Sequence, residues 1–157
     1  MSALRDLFND LVRFEIELWN TVEARLKRDF GLPLTHYEPM SVIDRLSACR
    51  VYDIAAELCI TTGGTSKLVD RIEASGYCRR VPNPGDRRSS LLELTPAGKQ
   101  VLAAASAAVD EELDRWLGRA VPERTLRQFA ATLTRLRAAS PQAHGLERLA
   151  KVSHGTF

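Results

Sequence analysis

Between Thr62 and Leu91 the chain carries six basic residues, Lys67, Arg71, Arg79, Arg80, Arg87 and Arg88, against three acids, Asp70, Glu73 and Asp86. The whole chain of 157 residues has 22 basic and 20 acidic residues, a net charge of only +2. A local excess inside a nearly neutral chain is the pattern by which a polyanion such as DNA is bound, since the signal lies in clustering and not in the sum. The stretch Thr62, Gly63, Gly64, Thr65, Ser66 and Lys67 is small and hydroxylated. Such residues let backbone approach a phosphate closely, and their hydroxyls bond to phosphates or base edges. Arg71 stands four residues beyond Lys67, on the same side of a helix. Further on, Pro84-Gly85-Asp86-Arg87-Arg88 puts two guanidiniums in a turn, a form suited to a narrow minor groove. Asp86 would repel DNA, so its expected work is to hold the turn through an ion pair or a hydrogen bond. Solvated helix surfaces and charged hairpins carry the same residue types, so either segment alone is weak.

The elements around these residues decide the matter. Ser2 to Phe30 repeats apolar residues at helical spacing, through Leu4, Leu7, Phe8, Leu11, Val12, Ile16, Trp19, Val22 and Leu26, and Gly31-Leu32-Pro33 ends it. Nearly thirty residues is long for one globular helix, and a terminal helix of that length often packs on a partner subunit. A helix from Thr35 buries Tyr37, Met40, Ile43 and Leu46; Arg50-Val51-Tyr52 reads as a connector or minimal strand. A short helix over Asp53–Cys59, a turn over Thr61–Gly64 and a second helix to about Ser75 follow, with Gly76 placed as a left-handed cap. Tyr77–Val81 and Ser89–Leu94 read as two strands of a hairpin. Thr95 caps the next helix with Pro96 at its first position; this helix runs to Gly118, and Pro122 opens a last one with Leu126, Phe129, Leu133 and Leu136 on one face. After Ala139 the pattern fades. The predicted fold class is mainly α with a small β-hairpin: a winged helix-turn-helix at 34–94, flanked by helices at 1–33 and 95–138 and a tail at 139–157.

Other classes are excluded or poorly supported. At 45% hydrophobic and 27% charged residues the composition is that of a globular domain. No stretch is long and apolar enough to span a membrane, and the first thirteen residues lack the apolar run of a signal peptide, so the expected compartment is the cytoplasm. Three cysteines, Cys49, Cys59 and Cys78, fit reduced thiols better than a disulfide framework. The three histidines, His36, His144 and His154, have no metal-ligand spacing, and no nucleophile or phosphate-loop motif occurs. No metal, no cofactor and no enzymatic activity are expected.

Four segments in order, Asp53-Ile54-Ala55-Ala56-Glu57-Leu58, Lys67-Leu68-Val69-Asp70-Arg71-Ile72-Glu73-Ala74-Ser75-Gly76-Tyr77, Asp86-Arg87-Arg88-Ser89 and Leu94-Thr95-Pro96-Ala97-Gly98, resemble the multiple-antibiotic-resistance regulator (MarR) family of transcription regulators. The resemblance implies a homodimer built on the N- and C-terminal helices, double-stranded DNA as partner, and repression at a pseudo-palindromic operator. It implies DNA contact by Thr62 to Lys67 and by Arg71, with Asp86 and Arg88 as the wing motif and Arg87 beside them. The Gly63-Gly64 start is more flexible than in many members. Many members release DNA when a small, often phenolic or anionic aromatic, effector enters a cleft; here Trp19, His36, Tyr37, Met40 and Arg45 lie on segments that would line it. Core packing accounts equally for Trp19 and Met40. Arginine neighbours are expected to lower the Cys78 pKa, although packing is the simpler role of all three thiols. The competing reading is a winged protein–protein module whose arginine hairpin binds an acidic partner, which would not need both the Thr62–Lys67 helix start and the Asp86–Arg88 tip.

Overall fold

The structure is a computed structural model and describes residues 2–139. Helix α1 spans Ser2–Phe30, α2 Leu34–Arg45, α3 Val51–Glu57 and α4 Thr62–Ala74. Strands β1, Cys78–Pro82, and β2, Ser90–Leu94, form an antiparallel hairpin in which Arg80 faces Leu92 and Cys78 faces Leu94. Helix α5, Pro96–Leu113, runs into a π-helical turn over Asp114–Gly118, and α6 spans Glu123–Ala138. Beyond Ala139 the expected tail lies outside the described residues. The chain divides into two compact units at Glu112 and Leu113.

In the first unit the core is Leu26 and Leu32 from α1 and its exit, Met40 from α2, Ile54 from α3, and Val69 and Ile72 from α4, all fully buried. Leu92 and Leu94 of β2 and Leu102, Ala105 and Ala108 of α5 close it. Only the C-terminal part of α1 takes part, through Val22 and Leu26. Arg25 fastens that part to α5 through Glu112 at 3.1 Å and Glu111 at 2.9 Å. The N-terminal part of α1 leaves Leu4, Leu7, Phe8, Leu11, Val12, Ile16 and Trp19 exposed. In the second unit α6 has no buried residue, and Phe129, Leu133 and Leu136 are exposed.

Three local expectations change. The short strand read at Arg50–Tyr52 reduces to one bridge, Cys49 with Leu92, where the Leu92 N–H donates to the Cys49 carbonyl at 2.8 Å. Helix α3 starts at Val51 because the Asp53 carboxylate accepts the Arg50 N–H at 2.8 Å, satisfying a donor that would otherwise be orphaned at the helix start. The helix expected to run to Gly118 remains α-helical only to Leu113; the Arg119 N–H then reaches the Asp114 carbonyl at 2.9 Å, five residues back.

Candidate nucleic-acid interface

The turn between α3 and α4 is built from the backbone. The Cys59 N–H reaches the Ala56 carbonyl and the Ile60 N–H the Ala55 carbonyl at 3.0 Å, which closes α3 with Cys59 at φ +55°. That is the helix-ending geometry usually given to glycine. Thr61 then caps α4: its hydroxyl oxygen accepts the Gly64 N–H at 3.2 Å. Gly63 and Gly64 therefore lie inside the first helical turn and not in a preceding loop, a correction to the sequence reading. The cap offsets part of the roughly 1 kcal/mol that each helical glycine costs.

Of the residues expected at the reading end of α4, Thr62, Gly63, Gly64, Lys67 and Arg71 are exposed, and Ser66 is half-buried. Thr65 departs from expectation. Its side chain is fully buried and its hydroxyl donates to the Thr61 carbonyl at 2.8 Å, so it supports the helix start and is withdrawn from any DNA surface. Val69 and Ile72 hold the opposite face in the core. A Gly76 at φ +78° ends α4, with the Gly76 and Tyr77 N–H groups returning to the Glu73 and Ile72 carbonyls.

The wing tip is a web of turn bonds. The Asn83 side-chain carbonyl accepts the Gly85 N–H at 3.0 Å, and its amide donates to the Ser89 hydroxyl at 2.8 Å. The Asp86 carboxylate accepts the Arg88 N–H at 2.9 Å. That bond, with help from Ser89, holds the Asp86 pKa below its ordinary value. Asp86 thus shapes the turn through the backbone, and the Arg87 and Arg88 side chains stay exposed without an ion-pair partner among the described residues.

The other two wing arginines are paired with acids of the same chain. Arg80 bonds to Asp70 at 2.7 Å and to Glu73, while Glu73 also accepts the Arg80 N–H at 3.0 Å, so this residue ties β1 to α4. Arg79 bonds to Glu93 at 2.9 Å. Glu93 lies two residues beyond the Thr62–Leu91 stretch, so the local charge balance of that stretch does not contain the partner of Arg79. Among the described residues Lys67, Arg71, Arg87 and Arg88 remain as unpaired exposed cations on the helix and the wing tip.

Behind the wing, Thr95 and Gly98 explain the Leu94-to-Gly98 motif. The Thr95 hydroxyl donates to the Gly76 carbonyl at 2.6 Å and accepts the Gly98 N–H at 3.0 Å. A Cβ on Gly98 would stand 1.9 Å from the Tyr77 carbonyl oxygen, so only glycine allows the close approach of α5 to the start of the hairpin.

The five residues expected at an effector cleft lie in different surroundings. Met40 is fully buried in the core, and Arg45 pairs with Glu57 on the surface at 3.0 Å. The Tyr37 hydroxyl lies 3.2 Å from that of Ser106, and Trp19 is 38% exposed. His36 is half-buried; burial, and then the nearby Arg71, lower its pKa, and Glu23 opposes them. A groove of about 500 Å³ lies elsewhere, between the end of α2, β2 and the start of α5. Cys78 also departs from expectation: burial, and then Glu73, push its thiol up to about 11, outweighing Arg80. Cys49 is pushed up to about 12, first by burial and then by Asp53; Cys59 is exposed. Among the described residues no cluster fit for a metal occurs, and no helix is long and apolar enough to cross a membrane.

A capped helix held by its back in the core, a bonded wing beside it and four unpaired cations define a DNA-binding winged helix-turn-helix. Residues 32–90 match the model of the MarR family. The multiple antibiotic resistance protein MarR of Escherichia coli (strain K12) is 27% identical over 124 residues, 74% of this chain and 85% of that protein. A MarR family transcriptional regulator of Streptomyces coelicolor, Sco3205, solved in complex with DNA, superposes with a TM-score of 0.80 at 18% identity over 88% of each chain. CouR of Rhodococcus jostii RHA1, bound to p-coumaroyl-CoA, does so with a TM-score of 0.78 at 23% identity over 86% of this chain and 94% of that one. These structural likenesses carry the fold. With the sequence matches, they make the chain similar to the DNA-binding transcriptional regulators of the MarR family.

Proposed function

We propose that the chain is a homodimeric repressor that works in the cytoplasm on a pseudo-palindromic operator and releases it on binding a small molecule. The observation that carries the DNA-contact assignment is the sorting of charge: Arg79 and Arg80 are ion-paired to acids of the hairpin and α4, while Lys67, Arg71, Arg87 and Arg88 have no ion-pair partner among the described residues. In this reading the N-terminal turn of α4 enters the major groove. Thr62, Gly63, Gly64 and Ser66 bring backbone and hydroxyls to phosphates and base edges, and Lys67 and Arg71 extend along the groove. Arg87 and Arg88 enter the adjacent minor groove. Support for a homodimer comes from the apolar stripe of α1, whose seven large exposed side chains from Leu4 to Trp19 form the kind of contiguous patch that marks an interface. Two copies would then place two α4 helices on successive turns of DNA, roughly 34–36 Å apart.

The small-molecule response is inferred from the bound p-coumaroyl-CoA of CouR. In this chain an anionic aromatic effector would meet His36 and Arg71, which lie close enough for Arg71 to depress the His36 pKa, with Tyr37 and Trp19 on neighbouring segments. Coupling is reciprocal, so bound DNA must weaken effector binding by the same factor.

The test is selection of duplexes from a random pool by the wild type and by Arg88→Ala. Enrichment of an inverted repeat, with loss of affinity in the variant, is the expected result. A pool that stays unenriched at low salt, with and without candidate effectors, would overturn the assignment.

A further inference from the structure

The groove beside the base of the wing is lined by none of the residues assigned above to DNA contact or to the effector cleft. Its floor is apolar: Ile43, Leu92 and Leu94 are 4%, 3% and 6% exposed. Arg79 and Glu93 on its rim satisfy each other at 2.9 Å. That leaves Asp44 and Lys99, which are exposed, opposite in charge and without a side-chain partner among the described residues. They line the same groove but do not pair with each other.

The chemical complement of such a groove is a molecule that carries both an ammonium and a carboxylate beside an apolar group. A simple anion would meet Asp44 and Glu93, and a simple cation would meet Lys99 and Arg79. A neutral hydrocarbon would leave both unpaired charges unanswered. The volume of about 500 Å³ lies within the range of small-molecule sites. We infer that this groove binds an apolar α-amino acid as its zwitterion, with the ammonium on Asp44, the carboxylate on Lys99 and the side chain over Ile43 and Leu92. Both charges are exposed, so each ion pair contributes about three- to fivefold in affinity and the site is weak.

The experiment is an NMR titration of the full chain with L-leucine and L-phenylalanine at millimolar concentration, reading the backbone amides. Because it needs no DNA, it stands or falls separately from the repressor reading. The expected result is saturable shifts at Ser47, Glu93, Leu94 and Lys99. N-acetyl-leucine, which lacks the ammonium, and leucinamide, which lacks the carboxylate, should each bind about three- to fivefold more weakly. Asp44→Asn should abolish the difference between leucine and N-acetyl-leucine, and Lys99→Gln that between leucine and leucinamide. The inference is overturned if the groove amides do not shift, if the three compounds bind alike, or if the shifts survive unchanged in both variants. It is also overturned if they map to α1 and the start of α2.

Discussion

The salt dependence of operator binding is where the sorting of charge becomes measurable. Each protomer exposes four cations on α4 and the wing tip, Lys67, Arg71, Arg87 and Arg88, that are unpaired among the described residues, and a homodimer therefore presents eight. If all eight neutralise phosphates, log K falls with log salt at a slope of roughly −7, and affinity drops about 10⁴-fold between about 50 and 200 mM salt. Arg88→Gln removes two of the eight and should flatten the slope to roughly −5, leaving a drop of about 10³-fold over the same range. Arg79→Gln removes the same formal charge from the same hairpin, but that guanidinium is already spent on Glu93. Its slope should match the wild type. Fluorescence anisotropy of a labelled operator duplex, titrated at five or so salt concentrations, reads all three slopes. Equal flattening by Arg79→Gln and Arg88→Gln would refute the division of the arginines into structural and DNA-facing sets. A wild-type slope no steeper than about −2 would refute the multi-contact interface itself.

Three further predictions follow from local geometry. Gly98→Ala forces a Cβ against the Tyr77 carbonyl oxygen and should lower stability by about 3 kcal/mol, seen as a lower urea midpoint. Cys59→Gly relieves a non-glycine residue at φ +55° and should raise the thermal midpoint, by about 1 kcal/mol of stability; in the parent chain Cys59 should be the first thiol to react with an alkylating reagent, since Cys49 and Cys78 are buried with raised pKa values. The His36 pKa is depressed in the folded chain, so the unfolded state takes up the proton first. The neutral imidazole's contribution to stability is present above its ordinary pKa of 6.5 and is lost as pH falls below it toward the folded value. Urea unfolding between about pH 7 and pH 5 should show a shallower loss in His36→Gln than in the wild type. An equal loss would assign the pH dependence to other groups.

Where a pattern was local and repeated, the sequence was legible. The period of α1, the turn residues of the wing, the Gly76 cap and the Thr95-Pro96 start all reappear where spacing placed them. What escaped was decided by single hydrogen bonds. The start of α3 depends on one carboxylate, Asp53, bonding back to Arg50, and the start of α4 on the Thr61 hydroxyl drawing two glycines into a helix they do not favour. Thr65 looked like a contact residue because it sits among small polar neighbours. Its burial follows from helical phase: Thr65 lies four before Val69 and seven before Ile72, on the core side, and that spacing was available once the helix began at Thr62.

The net charge of +2 hides the property that matters for binding. Composition counts every charge alike, whereas a DNA surface is made only of those charges the fold does not consume. Arg80 resists DNA duty because Asp70 and Glu73 project from α4 at one-turn spacing and meet it from the hairpin; Arg79 resists because its cross-strand neighbour in β2 is Glu93. Both pairings are set by register and helix phase, which a count of residues does not contain. Arg87 and Arg88 escape pairing because the nearby acid, Asp86, is occupied by the backbone of the turn. The same carboxylate that would repel a phosphate is thereby held low in pKa and turned into the scaffold that presents two guanidiniums. On this account Asp86→Ala should weaken operator binding although it removes a negative charge, and Asp86→Asn, which keeps a carbonyl oxygen for the Arg88 N–H, should weaken it less. If Asp86→Ala binds more tightly than the wild type, the carboxylate acts on DNA through its charge alone and the scaffold role is wrong.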